Sequence, residues 1–214
     1  MSRDDALAPR GPGGQDPTMC PTRQLLVHSA SPEATEALAQ ALGRCARPGL
    51  VLGLVGEMGA GKTAFVRGFA RGLDVQEPVS SPTFTLMQEL EGRHPLWHYD
   101  AWMVEREVAF LEGGGADFLG GDGVAVVEWA DRVEEWLPRP YLRVSLRVPP
   151  ASGRKADPVP PTTRWLLLEA LDAGSTGELS ALLEGLEPLL EGQEGLELVP
   201  AYAWSASEPP TEAR

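Results

Sequence analysis

Cysteine is nearly absent from this chain of 214 residues: Cys20 and Cys45 are the two it has, and neither has a partner at zinc-ligand spacing. A disulfide framework and a cysteine-based metal site are therefore excluded. Histidine is scarce as well, with His28, His94 and His98 only. His98, next to Tyr99, reads as a packed strand residue rather than a base or a zinc ligand. No apolar run approaches the length of a membrane span, and the N-terminus lacks the apolar core of a signal peptide, so the expectation is a cytoplasmic protein with no membrane partner. Positive charge is in deficit, 18 Lys and Arg against 31 Asp and Glu, for a net charge of −13. A protein that wraps nucleic acid by itself needs the opposite balance, because phosphate neutralisation supplies most of that affinity. Eight glutamates against Arg214 alone make the stretch from Thr176 onward the most acidic part of the chain, and it reads as a solvated tail. Hydrophobic content of 43% and charged content of 23% are ordinary for a globular protein, and the length has room for one α/β domain with material at its ends.

Against that background one stretch stands out. Gly56-Glu57-Met58-Gly59-Ala60-Gly61-Lys62-Thr63 fits the pattern G-x-x-x-x-G-K-[ST] without a mismatch. Glycines let such a loop curl until successive N–H groups point at phosphate oxygens, and no Cβ blocks the approach. Ala60 is small enough not to interfere, Lys62 supplies a point charge for the β and γ phosphates, and the Thr63 hydroxyl is placed for Mg²⁺. The flanks agree with the motif. Leu50 to Val55 is an apolar run of strand length, and Ala64, Phe65, Val66, Phe69 and Ala70 follow at helical spacing, with Gly72 as the expected C-cap. Strand, glycine loop and helix in that order predict a nucleoside triphosphate site with the phosphates on a helix N-terminus.

Elsewhere the pattern reads as alternating strands and helices. Met1 to Thr22 is rich in Gly, Pro, Asp and Arg and is expected to be a disordered leader. Gln24 to His28 is a first strand, and Ser31-Pro32-Glu33 opens an amphipathic helix that runs to the Pro48-Gly49 turn. Val79 to Leu86 is a loop entering a strand, and Pro95 to Asp100 is a strand ending on a carboxylate. Val104 to Leu111 has helical character and is broken by Gly113-Gly114-Gly115, a mobile connection in this reading. Val124 to Trp129 is a buried strand with Glu128 just past its apolar run, which in an open α/β sheet is where ligands bind. A short helix over Asp131 to Leu137, a strand from Tyr141 to Val148, an irregular proline-rich excursion from Pro149 to Thr163 and a strand from Arg164 to Glu169 follow. Beyond these, Glu178 to Leu190 is a leucine-rich helix and Leu196 to Val199 is strand-like.

With Ser81-Pro82-Thr83-Phe84-Thr85-Leu86, His98-Tyr99-Asp100 and Val127-Glu128-Trp129 downstream of the phosphate loop, the chain from about Gln24 to Glu169 resembles the TsaE family, also called YjeE. That family is the bacterial ATPase required for threonylcarbamoyladenosine modification of tRNA. The resemblance implies an α/β fold of the P-loop NTPase kind, a three-layer sandwich with a mixed, mainly parallel central sheet and helices on both faces. The leader would be residues 1–22, the ATPase domain 23–170 and a C-terminal extension 171–214. ATP and Mg²⁺ are the implied ligands, and the TsaB and TsaD proteins the implied partners, with tRNA reached only through them. Carried over by position, Lys62 and Thr63 bind phosphates and Mg²⁺, Ser81-Pro82-Thr83 is a switch loop near the γ-phosphate, and Asp100 orients water or supports the metal. Glu128 is implied as a Mg²⁺ ligand and Trp129 as a neighbour of the base. Nucleotide is also approached by the start of the first helix, near Pro32 to Thr35, and by an arginine, for which Arg164 matches better than Arg154.

Read from the residues alone, the lesser alternative for Asp100 is a turn cap, and Trp129 could equally be a core aromatic. One departure stands in the aspartate motif, usually Asp-x-Tyr-Arg in the family and here Asp100-Ala101-Trp102-Met103. Arg106, a helical turn onward, is the substitute the sequence offers. The main reading is an ATPase acting on partners. Its alternatives are a nucleotide-gated assembly factor with negligible hydrolysis and a small-molecule kinase with Gly113 to Gly115 as a lid.

Overall fold

Local chemistry sets where the first elements begin. In a computed structural model of the chain, which describes residues 21–149, 162–172 and 177–205, Ser31 is extended (φ −153°, ψ 165°) and its hydroxyl accepts the Ala34 amide. Pro32 then occupies the first helical turn, where no amide is needed, and α1 spans Pro32–Cys45. The leader up to residue 20, residues 150–161 with Arg154, and residues 206–214 lie outside the described residues.

Strand β1 (Arg23–Ser29) precedes α1, and β2 (Val51–Val55) runs through the phosphate loop into α2 (Lys62–Gly72). Gly72 is not the left-handed cap expected of it: it is the last residue of α2, with Leu73 at the cap position. Its role is packing. A Cβ on Gly72 would lie 2.3 Å from the Gln40 carbonyl oxygen, and one on Gly68 would lie 2.2 Å from that of Glu36, so these glycines let α1 and α2 meet backbone to backbone.

The chain continues through β3 (Met87–Leu90), β4 (Leu96–Asp100), α3 (Val104–Glu112), β5 (Val124–Glu128), β6 (Tyr141–Arg147), β7 (Arg164–Leu171), α4 (Glu178–Leu190), β8 (Leu196–Val199) and α5 (Tyr202–Ser205). The helix expected over Asp131 to Leu137 is instead two 3-10 turns, Ala130–Arg132 and Glu134–Trp136, because Val133 between them leaves helical geometry at φ −131°. Among the described residues, eight strands join one sheet in the order β3-β4-β5-β2-β6-β7-β1-β8. It is mixed, but the expectation of a mainly parallel sheet is corrected. Parallel pairing is confined to the central β4-β5-β2-β6, giving three parallel ladders against four antiparallel ones. Parallel neighbours need a crossover segment. β3 and β4 are joined by a short turn, and β6 alternates buried and half-buried residues as a one-sided strand does.

The two faces of the sheet carry separate cores. Leu52, Leu54, Val124, Val126 and Val144 pack with Phe65 and Phe69 of α2, Leu38 and Leu42 of α1 and the α4 leucines. On the opposite face Val51, Tyr99, Ala125 and Val127 meet Leu111 of α3 and Ala130, Val133 and Leu137 of the following turns. The residues assigned to an extension from 171 onward are woven into this frame. β7 itself runs to Leu171, β8 pairs antiparallel with β1, and Leu179, Leu183, Leu186 and Leu190 are buried.

α4 is anchored by a distant cap. Its N-cap residue Gly177 offers no side chain, and Asp172 accepts the Leu179 and Ser180 amides and the Thr22 and Ser180 hydroxyls at 2.6–3.3 Å. Burial works to raise the Asp172 pKa, and these hydrogen bonds outweigh it and hold the carboxyl below its ordinary range. Asp172→Ala is therefore expected to lower stability by about 1–2 kcal/mol, as removal of a helix cap does. Urea unfolding at neutral pH checks it, and an unchanged midpoint would remove Asp172 as the anchor of α4.

Candidate functional site

The phosphate loop bridges the C-terminal end of β2 and the N-terminus of α2, and its glycines take conformations that side chains resist. Gly61 at φ +105° is the N-cap of α2 and lends no side-chain cap, which leaves the first amides of the helix to a ligand. Gly56, at φ +153°, lies so close to β6 that a Cβ would stand 2.5 Å from the Leu146 carbonyl oxygen. Lys62 folds back over the loop and its ammonium donates to the Gly56 and Glu57 carbonyls at 2.7 and 2.9 Å. Burial pulls the Lys62 pKa below the usual lysine range, opposed by the carboxylates of Glu128, Asp100 and Asp131.

Two carboxylates come to this loop from neighbouring parallel strands. The register sets Asp100, last in β4, beside Glu128, last in β5, and both are buried. Thr63 donates to Glu128 at 3.0 and 3.1 Å, and His98 Nε2 lies 2.9 Å from Glu128 Oε1. Asp100 is tied to the switch segment: Thr83 donates to its Oδ2 at 2.6 Å and Ser81 hydrogen-bonds the same oxygen. Its Oδ1 also accepts the Trp102 amide at 3.0 Å, so Asp100 closes a turn after its strand.

These groups surround a cavity of about 430 Å³. Met58, Gly59, Gly61, Lys62, Thr63 and Ala64 supply the loop side, and Thr83, Asp100, Trp102, Glu128 and Trp129 stand opposite. Ala60 is buried inside the loop, and Gly56 and Glu57 act through their carbonyls. Arg164 approaches from outside, donating to Ala60 and Gly59 carbonyls at 2.9 and 3.0 Å, so it braces the loop. Trp129 takes a left-handed backbone conformation (φ 60°, ψ 38°), a strained state that non-glycine residues keep only where surroundings impose it. That turns its ring over the Lys62 ammonium, 3.4 Å from the centroid, at the phosphate end of the loop.

Thr63 and Glu128 offer hard oxygen donors side by side, the type Mg²⁺ selects, and among the described residues no larger His, Cys, Asp or Glu cluster competes for a metal. A small protein-ligand count suits this ion, which takes its remaining positions from phosphates and water. Sequence reasoning missed His98, set down as a packed strand residue. It is fully buried, as that reading has it, and it is also a hydrogen-bond partner of Glu128 on the neighbouring strand β5, a contact that only the fold reveals. Arg132 and Glu107 gave no sequence signal. The first reaches the tryptophans of the site and the second is a buried acid on α3.

Comparison with known proteins gives consistent results. Residues 29–156 match the family model described as threonylcarbamoyl adenosine biosynthesis protein TsaE. A tRNA threonylcarbamoyladenosine biosynthesis protein TsaE of Bacillus subtilis is 42% identical over 126 residues, 58% of this chain and 78% of the relative. Its counterpart from Treponema pallidum is 40% identical over 120 residues, 56% of this chain and 89% of the relative. The crystal structure of YdiB from Bacillus subtilis superposes with a TM-score of 0.61 at 32% identity, covering 78% of this chain and 96% of that one. The matched residues hold the phosphate loop, Asp100 and Glu128 together, and on these grounds the chain belongs to the TsaE family, whose name places it in threonylcarbamoyladenosine biosynthesis.

Proposed function

We propose that this chain binds and hydrolyses ATP as a component of the machinery that forms threonylcarbamoyladenosine in tRNA, and that it acts on the TsaB–TsaD complex rather than making the modification itself. The observation that carries the reading is the meeting of Thr63 and Glu128 within 3.1 Å at the head of a helix whose first amides lack a side-chain cap. Phosphoryl transfer to water asks little covalent help of a protein; it needs phosphate charge neutralised and a nucleophile held in line. Lys62 and the α2 amides bind the phosphates in this reading, and Thr63 and Glu128 would hold Mg²⁺. The ion, when bound, supplies charge neutralisation at the phosphate oxygens. Asp100 orients the attacking water. Ser81 and Thr83 engage the same Asp100 oxygen, so a γ-phosphate that draws both hydroxyls away frees that oxygen for water and couples the switch segment to the chemistry.

Two features favour action on partner proteins. Met58, which lines the cavity, and Phe84, next in sequence to the lining residue Thr83, are large apolar side chains left 72% and 82% exposed, a feature suited to a protein partner. The net charge of −13 leaves contact with tRNA to those partners. No helix among the described residues is long and apolar enough to cross a membrane, and a role on tRNA puts the protein in the cytoplasm. Steady-state phosphate release from ATP and Mg²⁺ tests the reading, with the purified chain alone and with its TsaB and TsaD added. A slow rate raised several-fold by the pair is expected. ATP binding without hydrolysis in either case would replace it with a nucleotide-gated assembly factor.

A further inference from the structure

A guanidinium stands at the tryptophan wall of the cavity where sequence spacing did not announce one. Arg132 closes the 3-10 turn that follows Trp129. Its Nη1 donates to the Trp102 carbonyl at 2.6 Å, and its guanidinium carbon lies 4.3 Å from the centroid of the Trp102 ring and 4.9 Å from that of Trp129. The two rings are themselves in contact, 4.7 Å apart and tilted by 53°. Lys62 completes the layer with its ammonium over Trp129. Two cations thus share one aromatic surface beside the Asp100 and Glu128 carboxylates.

We propose that Arg132 is a positioning residue of the phosphate site, holding Trp102 and Trp129 together as the wall that sets the Lys62 ammonium. The inference rests on the ATP reading above and goes beyond it in naming the group that replaces the arginine expected after Trp102. Arg132 reaches the backbone at Trp102 itself, one residue before Met103. Arg106, the substitute suggested by spacing, turns elsewhere: its guanidinium contacts the Met103 sulfur at 3.7 Å and the Phe84 carbonyl at 3.4 Å. The contacts suit a guanidinium, which bonds a carbonyl through one N–H while its charge lies 4.3 and 4.9 Å from the two ring centroids. A lysine keeps the charge and loses that combination.

The test compares wild type with Arg132→Gln and Arg132→Lys in the full chain by three readouts: acrylamide quenching of tryptophan emission without nucleotide, separate affinities for ATP and ADP with Mg²⁺, and kcat against KM for phosphate release. In Arg132→Gln, quenching is expected to rise, the preference for ATP over ADP to fall about tenfold and kcat to fall about tenfold or more, with KM changed less than kcat. Arg132→Lys recovers less than half of each loss. The proposal is overturned if Arg132→Gln stays within twofold of wild type in kcat and in the ATP-to-ADP ratio. It is equally overturned if both nucleotides weaken together in step with a lowered Tm, which is what a merely structural arginine would do. Should wild type bind neither nucleotide, the ATP reading falls, and the quenching comparison still decides the wall: unchanged quenching in Arg132→Gln removes it.

Discussion

Glu128→Gln is expected to lower phosphate release roughly 10²- to 10³-fold while leaving the protein folded, the scale of loss seen when a charged group that stabilises a phosphoryl transfer is removed. The isosteric amide separates the two things Glu128 does. Its oxygen still accepts from Thr63 or from His98, so the buried contacts at 2.9–3.1 Å keep a partner, and His98, itself fully buried, is not abandoned. The negative charge is what disappears. A hard dication is bound by charged oxygen far better than by a neutral amide, so Mg²⁺ dependence of nucleotide binding should weaken with the rate. Glu128→Ala is the harsher variant, because it takes from the buried His98 Nε2 its carboxylate partner and adds a stability loss of about 1–3 kcal/mol. Titrating Mg²⁺ against ATP affinity in wild type and Glu128→Gln is the deciding measurement. Identical Mg²⁺ curves would mean that Glu128 does not hold the metal.

Thr63 and Glu128 could be read from the sequence because motif and strand pattern are local. Eight consecutive residues define the loop, and one apolar run of strand length ends at the carboxylate. The N-cap of α1 was legible for the same reason, since Ser31 bonds an amide three residues away. What the sequence hid is non-local. The antiparallel half of the sheet depends on β7 and β8 returning to β1 from more than a hundred residues away, and no alternation inside β1 announces its neighbours. The pairing of β8 with β1 escaped for that reason, whereas the leucine-rich α4 was legible from its local spacing. Gly72 shows the opposite failure. Its position at a helix end matched a cap rule, while its cause lay in the carbonyl of Gln40 on another helix. His98, Arg132 and Glu107 all needed a neighbour in space before their roles could be seen.

Glu107→Gln is expected to stabilise the protein at alkaline pH by on the order of 2–4 kcal/mol and to leave it nearly unchanged near pH 5. Glu107 lies on the inner side of α3, fully buried, and neither carboxyl oxygen has a hydrogen-bond partner among the described residues. Desolvation is the main force on it and the Asp100 carboxylate adds to it, pushing its pKa from the ordinary 4.5 up to about 8. The folded protein therefore keeps a proton on Glu107 at neutral pH that the unfolded chain has already released. Below about pH 4.5 both states hold the proton and there is no penalty. Between that value and pH 8 folding must take up a proton that grows scarcer, so the Glu107 contribution to stability falls steadily as pH rises and levels off above. The amide copies the neutral acid in shape and cannot ionise, which removes the slope. Other groups, such as Asp172 with its lowered pKa, act at more acid pH and cancel in the difference between variant and wild type. Urea midpoints of the two proteins measured from pH 5 to 9 should run together at the acid end and separate toward the alkaline end. Parallel curves across that range would show that Glu107 finds a partner for its charge, and the buried acid on α3 would then be an ion-paired residue rather than a protonated one.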